Sequence, residues 1–137
     1  MALEDYRAPT KVKLSVLWTS TMFCYVYGDY FGLFIKGTLD EMNHGIMGPL
    51  GAATPGMLIG VSLMMALPSL MVALSLLLPA PLCRWVSVVL GLAYTAIMGI
   101  SMPGAAPFYQ TLALIEMALT LTIAVIAWHW PQANTPR

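Results

Sequence analysis

The sequence predicts an all-α integral membrane protein: a bundle of four transmembrane helices with both termini cytoplasmic. Three observations lead there. Hydrophobic residues make up 59% of the 137-residue chain and charged residues 9%, against about 45–50% and about 25% in soluble domains. Four segments each offer the about 20 apolar residues that a helix needs to cross a hydrocarbon layer. Five of the six basic residues fall on one side of those segments. Six basic and six acidic side chains cannot cover a water-soluble protein of this size. That argues against a cytosolic enzyme, a nucleic-acid binder and a disordered tail, and a net charge of zero calls for no polyanionic partner. The length fits a single membrane domain over residues 1–137.

Each predicted span has its own punctuation. The first covers about residues 11–35, after Pro9 and with Thr10 as N-cap. The second covers about 55–78, with Thr54 as N-cap, Pro55 at the first helical position, and Pro79 and Pro81 as stops. The third, about 82–102, ends at Pro103-Gly104, and the fourth, about 107–130, stops at Pro131. An external loop, 36–54, joins the first two. In it, Thr38-x-x-Glu41 is a capping-box pattern. The glycine-rich apolar run 45–53 is too short to span, and reads either as an exposed loop or as a lid over the bundle.

Arg7, Lys11, Lys13, Arg84 and Arg137 share one face, and Lys36 alone takes the other, which places both termini inside by the positive-inside rule. Trp18, Trp85, Trp128 and Trp130 lie toward the same ends, as interfacial anchors do. No cleaved secretory signal is expected, because the first apolar run is too long for one. Cys24 and Cys83 differ in level by some 15 Å of helix rise, so they are expected to remain free thiols.

Asp29 and Glu116 are the informative residues, because an ionisable side chain within a span costs about 2.5–3.5 kcal/mol on insertion scales. Counted from the outer ends they lie about 9 Å and about 12 Å deep, on the first and last spans. Steps of three and four put Ser15, Trp18, Met22, Tyr25, Asp29 and Gly32 on one face of the first span. On the fourth they align Ala113, Glu116, Thr120, Ala124 and Ala127, a small and polar stripe suited to a bundle interior. Tyr94 and Thr95 of the third span and Ser62 of the second fall near the same depth. Two acids there without a fixed counter-cation would hold a proton near neutral pH, or attract a cation or amine. The alternative is that a protonated acid only bonds two helices together.

Small-residue spacings, Gly28-x-x-x-Gly32, Gly56-x-x-x-Gly60 and Gly91-x-x-x-Thr95-x-x-x-Gly99, mark contact seams. Pro68 in the second span should kink it and free a carbonyl. Asp40, Glu41 and His44 are too few and too exposed to predict a metal site, and neither His44 nor His129 has a partner for haem ligation. No cofactor and no metal is expected: Cys-x-x-Cys, phosphate-loop, nucleophile-triad and H-E-x-x-H patterns are all missing from the sequence.

The opening Leu3-Glu4-Asp5-Tyr6-Arg7, then Lys11-x-Lys13-Leu14-Ser15-x-Leu17-Trp18, resembles a known group of proteins. So do Tyr25-Val26-Tyr27-Gly28-Asp29-Tyr30-Phe31-Gly32-Leu33, Met47-Gly48-Pro49-Leu50-Gly51 and Leu67-Pro68-Ser69-Leu70-Met71. The group is a family of small bacterial four-helix membrane proteins known only as a domain of unknown function. In size and topology the chain is also similar to DoxX-like four-helix proteins. The resemblance implies a bacterial inner-membrane location and brings no activity with it.

Three functions are compatible with these residues. The leading one is a homo-oligomeric transporter, channel or ligand-binding bundle, in which Asp29 and Glu116, with Tyr25, Tyr94, Thr95, Ser62 and Thr120 around them, take a proton, a small cation or a lipophilic ligand. The second is an intramembrane enzyme, isomerase-like, using the two carboxyls as general acid and base on a lipophilic substrate. The third is an accessory subunit whose acids only fix helix packing. All three place the chain in a lipid bilayer.

Overall fold

The computed structural model describes residues 5–132. Leu3 and Glu4 of the opening motif and Arg137 of the basic set lie outside them. The described residues form five helices and no strand: α1 (Thr10–Gly32), α2 (Thr38–Asn43), α3 (Pro55–Leu77), α4 (Ala80–Ser101) and α5 (Pro107–Trp128). The four long helices match the four predicted segments to within three residues at each end. α3, α4 and α5 are long and apolar enough to cross a membrane. α1, at 23 residues, is as long, but Lys11, Lys13, Asp29 and its row of hydroxyls dilute its apolar character, so it falls outside that set.

Helix starts follow from capping chemistry. The Thr54 hydroxyl accepts from the Met57 N–H at 3.2 Å, with Pro55 behind it in the first turn. The other two predicted caps do not form: Pro9 holds the cap position before Thr10, and Gly37 holds it before Thr38, with no side-chain cap bond at either. Gly37 has φ +95°, open to glycine and adverse for threonine, which puts Thr38 inside α2 and dissolves the capping box. The loop between α1 and α3 folds on itself. Ala53 N–H donates to Gly45 at 2.8 Å, Met47 N–H to Gly51 at 2.7 Å, and Ile46 bridges Ala52. No residue from 33 to 53 is buried, so this segment is an exposed loop and not a lid.

Around the bundle the order is α3, α1, α5, α4, with only sparse contact closing the ring between α3 and α4. One end of the bundle carries the start of α1 and of α4 and the finish of α3 and of α5. Two cations tie that end together by meeting helix C-terminal carbonyls, where both hydrogen bonding and the helix dipole favour them. Lys11 Nζ donates to Leu78 O at 2.5 Å and Leu76 O at 3.3 Å, and Arg84 donates to Trp128 O at 3.0 Å. Arg84 also lies over the rings of Trp85 and Trp128, at 5.5 and 6.0 Å. Those two indoles are exposed, as anchors should be. Trp18 is not an anchor: it is fully buried, eight residues inside α1, in the core with Leu14, Tyr25, Met71 and Tyr94.

The α4–α5 seam is the tightest. A Cβ on Gly91 would sit 2.8 Å from the Thr120 carbonyl and 3.2 Å from Ala124 Cβ, so only glycine lets these backbones approach so closely. Thr95 Oγ1 and Thr120 Oγ1 hydrogen-bond across the same seam at 2.7 Å. The other small-residue seams are partial. Gly28 touches Leu112 and Gly99 touches Met117, while Gly32, Gly56 and Gly60 face open space in the protomer. α3 buries only Pro68, Met71 and Ser75.

Pro68 has no N–H, so the Met64 carbonyl four residues earlier loses its helical donor. The structure supplies another: the Tyr94 hydroxyl donates to Met64 O. α3 continues unbroken through this point. The same phenol ring packs edge-on to Trp18 and against Tyr25, each at 6.3 Å.

Two outcomes follow. Gly91→Val should destabilise the bundle by about 1–3 kcal/mol through overpacking, while Gly60→Ala, with no neighbour to meet, leaves denaturant unfolding in detergent unchanged. Tyr94→Phe should cost about 1–3 kcal/mol by orphaning the Met64 carbonyl. Adding Pro68→Ala, which restores the missing N–H, should recover much of that loss, and simple additivity of the two would contradict the pairing.

Candidate functional site

The site is built from α5 outward. Ala113, Glu116, Thr120, Ala124 and Ala127 are all buried, so the predicted stripe is the inward face of that helix. Glu116 lies nine residues from Pro107, about 13 Å of helix rise from the end, and is 4% exposed. Its main-chain carbonyl accepts from Thr120 Oγ1 at 2.9 Å. Among the described residues its carboxylate takes part in no hydrogen bond and no ion pair. A group so placed is expensive to keep charged without a partner.

On α1 the expected face and the observed face diverge. Leu14, Ser15, Trp18, Thr21, Tyr25 and Gly28 are buried, so the stripe steps from Trp18 to Thr21 and from Tyr25 to Gly28, not to Met22 and Asp29. A step of three in place of four at each point brings the preceding residue, about 100° away around the helix, to the inward face. As a result Asp29 is exposed. It is also shallower than the expected about 9 Å, because α1 ends at Gly32 and not near residue 35, which leaves Asp29 in the last turn. The expected buried pair of acids is thus one buried carboxylate, Glu116, and one surface carboxylate, Asp29.

Tyr25 is buried and its hydroxyl has no partner. Tyr94 is buried, but its hydroxyl is committed to the Met64 carbonyl. Thr95 and Thr120 bond each other and the carbonyls of Gly91 and Glu116, which is seam chemistry. Ser62 is exposed on α3 and does not join the site. The reason is that α3 turns most of this stretch outward, with Ile59 and Leu63 exposed beside Ser62.

Trp18 joins the interior instead. Its indole N–H is buried and unpartnered, as is the Ser87 hydroxyl of α4. The signal for Trp18 was its position on the Leu14–Tyr25 spacing, a more direct indicator of burial than its nearness to a helix end. In the loop, His44 Nδ1 lies 2.8 Å from the Asp40 carbonyl and 3.8 Å from its carboxylate, a local pairing on an exposed turn. Cys24 and Cys83 are both free, and Cys83 donates to the Ser75 carbonyl at 3.6 Å.

What this arrangement can do chemically is limited and specific. It offers one buried carboxyl, a buried phenol whose hydroxyl has no partner, and a second carboxyl at the surface in the last turn of α1. That set suits uptake of a proton or a small cation better than it suits nucleophilic attack. No curated protein and no solved structure matches the chain. A family model matches residues 1–136, and the chain therefore belongs to the family of unknown function DUF6326.

Proposed function

We propose that the protein is a four-span membrane bundle that binds a proton or a small cation at Glu116, reached past Asp29, and uses that site in proton- or cation-linked transport. The single observation that carries this is Glu116 itself, a buried carboxylate on an apolar helix with no donor or cation paired to it among the described residues. An ionisable group in such a place marks a transported charge or its pathway more often than it marks simple packing. Helix-to-helix bonding by the carboxyl finds no support, since the bond Glu116 makes runs through its main chain and stays within α5. General acid–base catalysis gains no specific support either, because Asp29 is not paired with Glu116 in one closed chamber.

α1 serves as the fourth span. It lies between α3 and α5, its polar Ser15 and Thr21 turn inward, and Val16, Phe23, Val26, Tyr27 and Phe31 face outward as lipid would require. With α1 spanning, both described chain ends share the end that carries Lys11, Lys13 and Arg84, which the positive-inside rule assigns to the cytoplasm. Asp29 then faces the external side. One protomer has little room for a path, and the outward Gly56, Gly60 and Ser62 of α3 offer a small-residue surface for self-association.

Reconstitution tests the reading. Vesicles containing the wild-type protein should pass protons or monovalent cations down an imposed gradient. Glu116→Gln should fall to the level of empty vesicles. Asp29→Asn should slow the flux by roughly tenfold, as expected of a charge that concentrates cations at an entrance. Flux unchanged in Glu116→Gln, or wild-type vesicles no leakier than empty ones, would contradict it.

A further inference from the structure

Among the described residues, four buried polar side-chain atoms have no hydrogen-bond partner: Trp18 Nε1, Tyr25 Oη, Arg84 Nε and Ser87 Oγ. Ser87 stands apart from its kind. The other buried hydroxyls, of Ser15, Thr21, Ser75 and Thr120, each reach a main-chain carbonyl at 2.6–3.0 Å. Ser87 is fully buried and does not bond back to the preceding turn, as a helical serine ordinarily can. Trp18 is fully buried too, and its indole N–H can only donate. Orphaned groups of this kind call for a partner that the chain itself does not supply.

These groups stand at successive levels above the basic end. Arg84 lies four residues into α4, about 6 Å up, and Ser87 seven, about 10 Å. Trp18 lies eight residues into α1, about 12 Å. Glu116 is twelve residues from the Trp128 end of α5, about 18 Å, and Tyr25 fifteen into α1, about 22 Å. No interval exceeds about 6 Å along the axis, within reach of one bridging water or two. α1 and α4 lie across the ring from each other, so Trp18 and Ser87 enter the interior from opposite sides at nearly one level. The Tyr94 ring, 6.3 Å from the rings of both Trp18 and Tyr25, makes one column of those two.

Water is the ligand that fits. Buried water makes about three hydrogen bonds to groups otherwise left unpaired. It accepts from the Trp18 N–H, and it donates to or accepts from the hydroxyls of Ser87 and Tyr25. A metal cation needs several oxygen ligands. Trp18 offers none, and Arg84 offers only donors and a fixed positive charge.

We propose that the interior from Tyr25 and Glu116 down to Arg84 binds a short file of water, held by Trp18 and Ser87, which conducts protons and not metal cations. This rests on the reading of Glu116 as a transport site and names the charge that crosses. A proton leaves the Glu116 carboxyl for the first water, each water passes one proton on, and the last releases one past Arg84. The carboxylate left behind takes its next proton from the Asp29 end, which restores the starting state. A metal cation from that end can replace the proton at Glu116 but goes no further.

Hydroxyl-radical labelling of the full-length protein in lipid vesicles, with the radicals made from water by an X-ray pulse, reads the file directly. A buried side chain is oxidised only where bound water lies against it. Trp18 should be oxidised within roughly tenfold of the rate of the exposed Trp85, although it is fully buried. Ser87→Val should lower that labelling, and proton flux, by roughly tenfold, the equivalent of one lost hydrogen bond, with labelling of Trp85 and Trp128 unchanged as the check on folding. Ser87→Thr, which keeps the hydroxyl, should do neither. Wild-type proton flux should be the same in sodium, potassium or N-methylglucamine salts. Labelling needs no gradient, so the two readings fail separately. A labelled Trp18 together with proton flux undiminished in Glu116→Gln would overturn the Glu116 reading and keep the file. An unlabelled Trp18 in the wild type, Ser87→Val labelled and conducting as the wild type, or flux that requires sodium or potassium would overturn this proposal. Wild-type vesicles as tight to protons as empty ones would overturn both.

Discussion

In a hydrocarbon environment no water is at hand to satisfy a backbone carbonyl, and Pro68 creates one such carbonyl in the middle of α3. The Tyr94 hydroxyl answers it, and much of the bundle is arranged around that bond. α3 and α4 otherwise touch sparingly, so the bond is the main polar tie between them. The phenol that makes it also contacts Trp18 and Tyr25, which brings α1 into the same cluster. A helix defect on one element is thereby turned into a specific attachment among three. The α4–α5 seam, closed by Gly91 and the Thr95–Thr120 pair, fixes the fourth.

That frame leaves Glu116 in an unusual position. The seam that buries it consists of small residues and hydroxyls already bonded to carbonyls, and the Tyr94 hydroxyl is engaged by the Met64 carbonyl. Tyr25 keeps a free hydroxyl and Trp18 a free indole N–H in the same interior. The polar capacity of the core is therefore not used up by folding. Asp29, at the surface in the last turn of α1, adds a negative charge at the end of the bundle away from Lys11 and Arg84. The opposite end is basic, with two cations engaged by helix ends and Lys13 left at a groove. The molecule is thus electrically asymmetric along its axis despite a net charge of zero.

How much of this could be read in the residues differed from helix to helix for physical reasons. α5 was fully legible, because Ala113, Glu116, Thr120, Ala124 and Ala127 contrast with bulky neighbours on every other side. α1 was not, because aromatic and polar residues occur around its whole circumference and a choice between steps of three and four decides whether Gly28 or Asp29 faces inward. Its apolar run also continues past Gly32 into Leu33, Phe34 and Ile35, which hid the true end of the helix. For Pro68 the freed carbonyl was legible, while its donor, 30 residues from Met64 in sequence, is a tertiary fact. Ser62 matched in depth but not in face, and depth alone does not define a site. The loop's glycines at φ +70°, +45° and +79° (Gly45, Gly48 and Gly51) turn the chain back on itself, an outcome that composition leaves open.

The central claim concerns the protonation and cation occupancy of Glu116 inside the bundle. Infrared difference spectroscopy of the lipid-reconstituted protein, recorded between acid and alkaline buffer and again with monovalent cation added, addresses it at that one group. The account predicts a carboxyl carbonyl band that responds to bulk pH and to the cation, and that Glu116→Gln removes while Asp29→Asn retains. A difference spectrum that is the same in wild type and Glu116→Gln would show that this carboxyl exchanges neither proton nor cation, and would contradict it.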